Sequence, residues 1–299
     1  MTLIKKNRIE WQNVRLVPIL HNRMEFAIEV RRQFEEFRPD RVAVEYPDTL
    51  GNRILQGVKR LPLLSVVYYE DKDGTFTYLL LEPTDGQVEA VRMALSEGIP
   101  VHFIDRDTSG YPLDTSPMPD PYAVKTIGHF RYSQAYLNVS QTHTSFPEDT
   151  LRENTMAYHL QRLSRKGERV LFVGGLSHLP GLQDLLSQPQ TQVIGRRKRE
   201  GVGLAHLHKE SSQEILSEMP YLAAAYERAR SSGRLDKMDR LKIISQLINI
   251  AVKNHWKKNK EELTRTQIRI LHKFARNYAL LTGYLVPNFY QLIVAARGA

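Results

Sequence analysis

His21 follows an apolar segment, Arg15–Leu20; Glu45 lies near the end of Arg41–Tyr46; Asp105 and Arg106 close Pro100–Asp105; His178 follows Glu168–Gly175. All four segments read as strands. If they run parallel, their ends line up along one edge of a sheet, where open α/β sheets bind their ligands. Two imidazoles and one or two carboxylates gathered there could hold a divalent metal, with His21, Glu45 and His178 as ligands, or form a metal-free pair that activates water. The 299-residue chain has no cysteine. That excludes a thiol nucleophile, an iron–sulfur cluster, a Cys-ligated zinc site and a disulfide framework. It also lacks the Gly-x-Ser-x-Gly nucleophile turn, so water is the expected nucleophile. Each residue has a plainer role open to it. Glu45 sits in the apolar run Val42-Ala-Val-Glu-Tyr, where a carboxylate needs a partner, and a salt bridge to Arg106 would supply one. Asp105 with Arg106 could be an ion pair that organises a loop.

The elements that would position these groups alternate along the first two thirds of the chain. After the strand Arg15–Leu20, in which Pro18 predicts an edge or distorted position, Met24 to Phe37 carries apolar residues at helical spacing and is stopped by Arg38-Pro-Asp40. Leu63–Tyr69 and Thr75–Leu81 flank Asp71-Lys-Asp-Gly74, which predicts a β-hairpin. Thr84-Asp-Gly-Gln87 has the pattern of a capping box, opening a helix to Ser96 that Gly98 ends. Ser145-Phe-Pro-Glu148 has the same pattern, ahead of a helix through Met156, Leu160 and Leu163. The Pro- and Tyr-rich stretch 107–144 has no clear period and is expected to roof the pocket as a lid. The fold class is therefore α/β: a mainly parallel sheet with helical crossovers and a β-hairpin insertion, followed by a basic helical region.

Residues 1–190 carry 22 Lys and Arg against 24 Asp and Glu, a net −2, whereas residues 191–299 carry 20 against 9, a net +11. Two parts with different tasks are expected, an α/β domain over 1–190 and a basic, mainly helical region over 191–299 with helices at Gln213–Arg230, Leu235–Lys258 and Glu262–Leu281. The apolar run Phe289 to Ala296 reads as the middle of an element, as if the chain continued in a longer protein. The basic runs Arg196–Arg199 and Lys257–Lys260, with Trp256, read first as solvated surface, and otherwise as a site for an acidic protein partner or a nucleic acid. His206 and His208, two residues apart, do not share a helix face, which argues against a metal role. No apolar run is long enough to span a membrane and the N-terminus lacks an export signal, so a cytoplasmic protein without membrane contact is expected.

Pro18-Ile-Leu-His21, Arg38-Pro-Asp-Arg-Val-Ala-Val-Glu45, Gly98-Ile-Pro-Val-His-Phe-Ile-Asp-Arg106 and Gly174-Gly-Leu-Ser-His-Leu-Pro-Gly181, in this order and spacing, resemble the TraB, Tiki, erythromycin-esterase and ChaN-like superfamily over roughly residues 14 to 186. The closest flavour is a bacterial branch with a long C-terminal extension. The resemblance implies that His21, Glu45 and His178 line one pocket. It leaves the reaction open, since Tiki members look like metal-dependent proteases, erythromycin esterases use His and Glu without an obligatory metal, and ChaN-type members bind haem-like ligands. Pro18-Ile-Leu20 stands where the superfamily has a small Gly-Thr-type approach to the first His, a departure that could change or remove activity. The expectation is a peptide or ester hydrolase, acting on a small molecule or peptide, with a divalent metal as the possible cofactor. His21 and His178 would be ligands or base, Glu45 ligand or base, and Arg106, beside Asp105, the stabiliser of developing negative charge. The rival is a non-catalytic scaffold module whose basic helices dock an acidic partner.

Overall fold

The computed structural model describes residues 4–5, 7–71, 74–108, 118–140, 146–195, 199 and 201–298. The chain opens with two short strands, β1 (Ile4–Lys5) and β2 (Arg8–Trp11), ahead of β3 (Val14–Ile19). Helix α1 (Met24–Phe37) leads to β4 (Arg41–Pro47), α2 (Asp48–Val58), the hairpin β5 (Ser65–Glu70) and β6 (Phe76–Leu80), α3 (Gly86–Glu97) and β7 (Val101–Asp105). Three helices follow, α4 (Ala123–Ile127), α5 (His129–Ser140) and α6 (Pro147–Ser164), then β8 (Val170–Gly175), a 3-10 turn Leu176–His178 and α7 (Leu179–Leu185). The rest comprises β9 (Gly203–His206), α8 (Ser212–Ile215), α9 (Pro220–Ser231), α10 (Arg240–Asn259), α11 (Arg265–Leu281) and α12 (Phe289–Arg297).

The main sheet has the order β1-β2-β3-β8-β4-β7, with β3, β8, β4 and β7 parallel and β1 and β2 added antiparallel. Its central strands are buried along their length, as expected when helices cover both faces. The α/β fold read from the sequence is the observed one. Pro18 lies inside β3, but β2 pairs only as far as Glu10 opposite Arg15, so the strand is locally an edge where the proline sits. The Pro18 carbonyl bonds the buried His129 ring at 2.7 Å.

Helix α1 buries Phe26, Ala27, Val30 and Phe34, each large side chain contributing about 1.5–3 kcal/mol, and ends at Arg38, whose left-handed backbone (φ 50°) donates its N–H to Phe34. Helix α3 starts one residue later than the capping pattern implies. Asp85, not Thr84, is the cap, its carboxylate accepting from the N–H groups of Gln87 and Val88. The hairpin forms as expected, with Lys72 and Asp73 of its turn outside the described residues, as is Ser145 of the second capping pattern.

Beyond residue 190 the expected helices form, with one strand added ahead of them. Strand β9 joins β5 antiparallel and completes a second, three-stranded sheet, β6-β5-β9, so the segment following 191 belongs partly to the α/β unit. The helix expected over 213–230 is split by Glu218-Met219-Pro220, because proline opens α9. Phe289–Arg297 is a helix of its own, opened by a capping box at Asn288. Helices α9 to α12 form a second apolar cluster that shares Met24 and Ala27 of α1. Across this seam the buried Arg240 bonds Glu25 and Glu218. Among the described residues no helix is long and apolar enough to cross a membrane.

Candidate active site

The parallel strands bring His21, Glu45, Asp105 and His178 to one sheet edge, and the order β3-β8-β4-β7 sets who meets whom. Glu45 on β4 must reach across β8 to approach His21 beyond β3. Gly174 and Gly175 of β8 allow this. A Cβ on Gly175 would lie 3.2 Å from Glu45 Oε2 and 3.3 Å from His21 Nε2, and one on Gly174 would lie 3.1 Å from Glu45 Oε2 and 2.6 Å from the Phe172 ring. The backbone N–H of Gly175 itself donates to Glu45 Oε2.

His21 is held by Asp85. Its Nδ1 lies 3.2 Å from Asp85 Oδ2, and the same oxygen accepts the N–H of Asn22 at 3.0 Å. A carboxylate only accepts, so Nδ1 carries the proton and in the neutral ring Nε2 carries the lone pair. Burial pulls the His21 pKa down, but the hydrogen bond and charge of Asp85, with the charge of Glu45, outweigh it and raise the pKa above 6.5. The His21 side chain remains 46% exposed, at the floor of a cleft of about 410 Å³.

His178 is 4% exposed and sandwiched between two carboxylates, with Nε2 3.1 Å from Glu45 Oε1 and Nδ1 3.0 Å from Glu153 Oε1. Both nitrogens must donate, so the ring is an imidazolium. Burial opposes that charge, but Glu45 and Glu153 push the pKa up to about 10. Arg152 of α6 completes the cluster. It bonds Glu45 Oε1, reaches Asp105 Oδ2 at 2.9 Å and meets Asp149 at 3.0 Å. Burial alone would raise the Glu45 pKa; His178, Arg152 and His21 instead hold it well below the usual carboxylate range. Burial lifts the Asp105 pKa against the pull of Arg152, with the charge of Glu45 adding to the rise.

Arg106 is corrected by this geometry. Its guanidinium turns away from the cleft to the carbonyls of Val193, Ile194 and Gly195, and only its backbone N–H meets Asp105, at 2.7 Å. Arg152, which sequence reading passed over, takes the place expected of it beside both Glu45 and Asp105.

The metal expectation does not fit the residues present. The doubly donating His178 has no lone pair to offer, and Glu45 already accepts from His178, Arg152 and Gly175. Among the described residues no group of three or more His, Asp or Glu side chains is arranged to hold a metal ion.

Of the expected roof, residues 109–117 and 141–144 lie outside the described residues; none of its described residues lines the cleft, whose outer wall among the described residues is the β5–β6 hairpin, with Tyr69, Tyr78 and Leu80, together with Ile215 and Ser217. Glu82, on the same wall, accepts the N–H groups of Ser217 and Glu218 and so ties the C-terminal part to the cleft. Gln87 beside Asp85 leaves its buried Oε1 without a hydrogen-bond partner. Of the basic run 196–199 only Arg199 lies within the described residues; it is buried over the Tyr69 ring, 3.7 Å from its centroid, and bonds Asp107 at 2.6 Å. His206 faces Ser65 in the second sheet, and His208 is exposed beside Glu210, neither near the cleft.

The arrangement is a basic imidazole with a fixed tautomer, facing open space, backed by a carboxylate locked in a cationic cradle. Such a base can take a proton from water. Comparison of the chain with family models, curated proteins and solved structures returns no match, so the reading of the cleft rests on its chemistry.

Proposed function

We propose that this protein is a hydrolase that activates water with His21, without a metal, and cleaves an ester or amide of a small molecule or peptide bound in the cleft. The observation that carries the reading is the His21–Asp85 pair at the floor of an open cleft, Nε2 free and Nδ1 fixed. Water gives a proton to His21 Nε2 while its oxygen bonds to the carbonyl carbon; the C–O or C–N bond then breaks and the leaving group takes that proton from Nε2. Glu45 keeps its charge beside the ring, making His21 a stronger base and stabilising the imidazolium formed. Arg152 is the cation lining the cleft and takes the electrostatic task first expected of Arg106. The unpartnered Gln87 Oε1 offers an acceptor for a substrate N–H or O–H.

This reading keeps the likeness to the TraB, Tiki, erythromycin-esterase and ChaN-like proteins and favours the metal-free branch of their chemistry. The full pairing of Glu45 and His178 favours a second reading, a binding module in which the network is architecture. A panel of activated esters and peptides, assayed with wild type and His21→Ala, separates the two. Turnover lost on substitution supports the hydrolase. Turnover equal in both, or none in either, supports the module.

A further inference from the structure

The turn joining α11 to α12 combines features that the cleft does not use. Residues 277–296 contain no charged side chain over twenty positions, yet Lys273 and Arg276 stand just before them and Arg297 just after. Residues 240–298 hold eleven Lys and Arg against two Glu, a net +9 that equals the net charge of the whole chain. The same segment carries twelve of the twenty-one large exposed apolar side chains among the described residues. Leu281, at 86% exposed, and Tyr290, at 64%, mark a tip that also exposes Tyr284, Leu285 and Phe289.

The tip is built rather than loose. Gly283 takes a left-handed φ of 82°, Tyr284 donates its N–H to Ala279 at 2.9 Å, Leu285 donates to Asp120 at 2.8 Å, and Gln291 Nε2 bonds Thr282 Oγ1 at 2.8 Å. Val286, Leu292 and Ala295 are buried in the second apolar cluster, so the remaining apolar residues of the turn form its outward side.

We infer that this tip seats on an anionic lipid surface, its Leu, Tyr and Phe side chains entering the headgroup boundary while Lys273, Arg276 and Arg297 meet lipid phosphates. Interfacial segments pair an apolar face with flanking cations in this way and sit about 5–10 Å deep. With nine residues, α12 is too short to cross, so the contact is peripheral. A second copy is disfavoured because both faces would be cationic. Nucleic acid is disfavoured because residues 277–296 set no cation among the exposed Tyr and Phe to meet phosphates, whereas such interfaces are polar and strongly positive.

The test is co-flotation of the full chain with vesicles of phosphatidylcholine alone and of phosphatidylcholine mixed with an equal part of phosphatidylglycerol. Binding is expected only to the anionic vesicles and weakens with added salt. It falls by at least about tenfold in L281E/Y290E and also in K273E/R276E. Both pairs lie on the exposed side, and thermal melting checks that each variant is folded. No binding to anionic vesicles, or binding unchanged in L281E/Y290E, overturns the inference. So does a wild-type dimer that the same pair dissolves, which would assign the tip to a second copy, or retention on immobilised RNA in place of vesicles.

Discussion

Asp85 Oδ2 lies 3.2 Å from His21 Nδ1, while Asp85 Oδ1 caps helix α3 through the N–H groups of Gln87 and Val88. One carboxylate thus fixes a helix start and the tautomer of the proposed base. Asn caps as well as Asp but carries no charge. Asp85→Asn keeps the cap through its one amide oxygen but sets its NH2 against the Asn22 N–H and His21 Nδ1–H, so it is expected to cost about 1–3 kcal/mol of stability, to lower the His21 pKa as read by NMR titration, and to reduce turnover. Asp85→Ala adds a loss of about 1 kcal/mol from the missing cap, read by denaturation.

His178 is expected to show itself in stability rather than in proton transfer. Its folded pKa, about 10, is raised above the ordinary 6.5, so the stabilisation from its charge is complete below 6.5 and is lost as pH rises toward 10. Denaturant midpoints for wild type should fall across that window, and His178→Gln should remove most of the slope. The variant should also be less stable at neutral pH by about 3–5 kcal/mol, because Glu153 stays buried without its cation and Glu45 keeps only Arg152.

Arg152 and Arg106 are expected to behave differently although the sequence favoured Arg106. Arg152→Met takes the guanidinium from Asp105 and Asp149 and leaves Glu45 to His178 and the Gly175 N–H, at a cost of about 3–5 kcal/mol. Arg106→Met loses contacts to three carbonyls away from the cleft and should leave turnover near wild type. Thermal melting and a steady-state assay on both variants read the difference.

Gly175 and Gly174 separate site from scaffold. Gly175 has an ordinary backbone (φ −58°), so Gly175→Ala is tolerated by the chain, but its methyl would press on Glu45 Oε2 and His21 Nε2 at 3.2 and 3.3 Å. Turnover should fall with little change in melting temperature. Gly174→Ala drives a methyl to 2.6 Å from the Phe172 ring and should instead cost about 1–3 kcal/mol of stability.

The sheet was legible because buried parallel strands leave unbroken apolar runs between helical patterns, as in Val42-Ala-Val and Val170-Leu-Phe-Val. The meeting of His21, Glu45 and His178 near one strand edge followed from the same order. What the sequence hid were partners far away along the chain. Arg152 and Glu153 continue toward the N-terminus the core-facing stripe of Met156, Leu160 and Leu163. Charges on an apolar stripe were the available signal that something buried needed them. Asp85 gave no such signal, because helix capping already explained it. Strands β1, β2 and β9 are short and gain their stability from neighbours remote in sequence, β9 from β5 above all, whereas helix α2 did carry a helical signal, Leu50, Ile54 and Val58, that the reading of the strands passed over.

The central claim is water activation by His21 without a metal. Its most direct test is the pH dependence of hydrolysis of an ester and peptide panel by chelator-treated wild type and His21→Ala. Turnover should survive chelation, rise with pH through a pKa above 6.5 as His21 loses its proton, and fall on the order of 10²–10⁴-fold in the variant. Turnover abolished by chelation, or equal in both proteins, or absent across the panel, would contradict it.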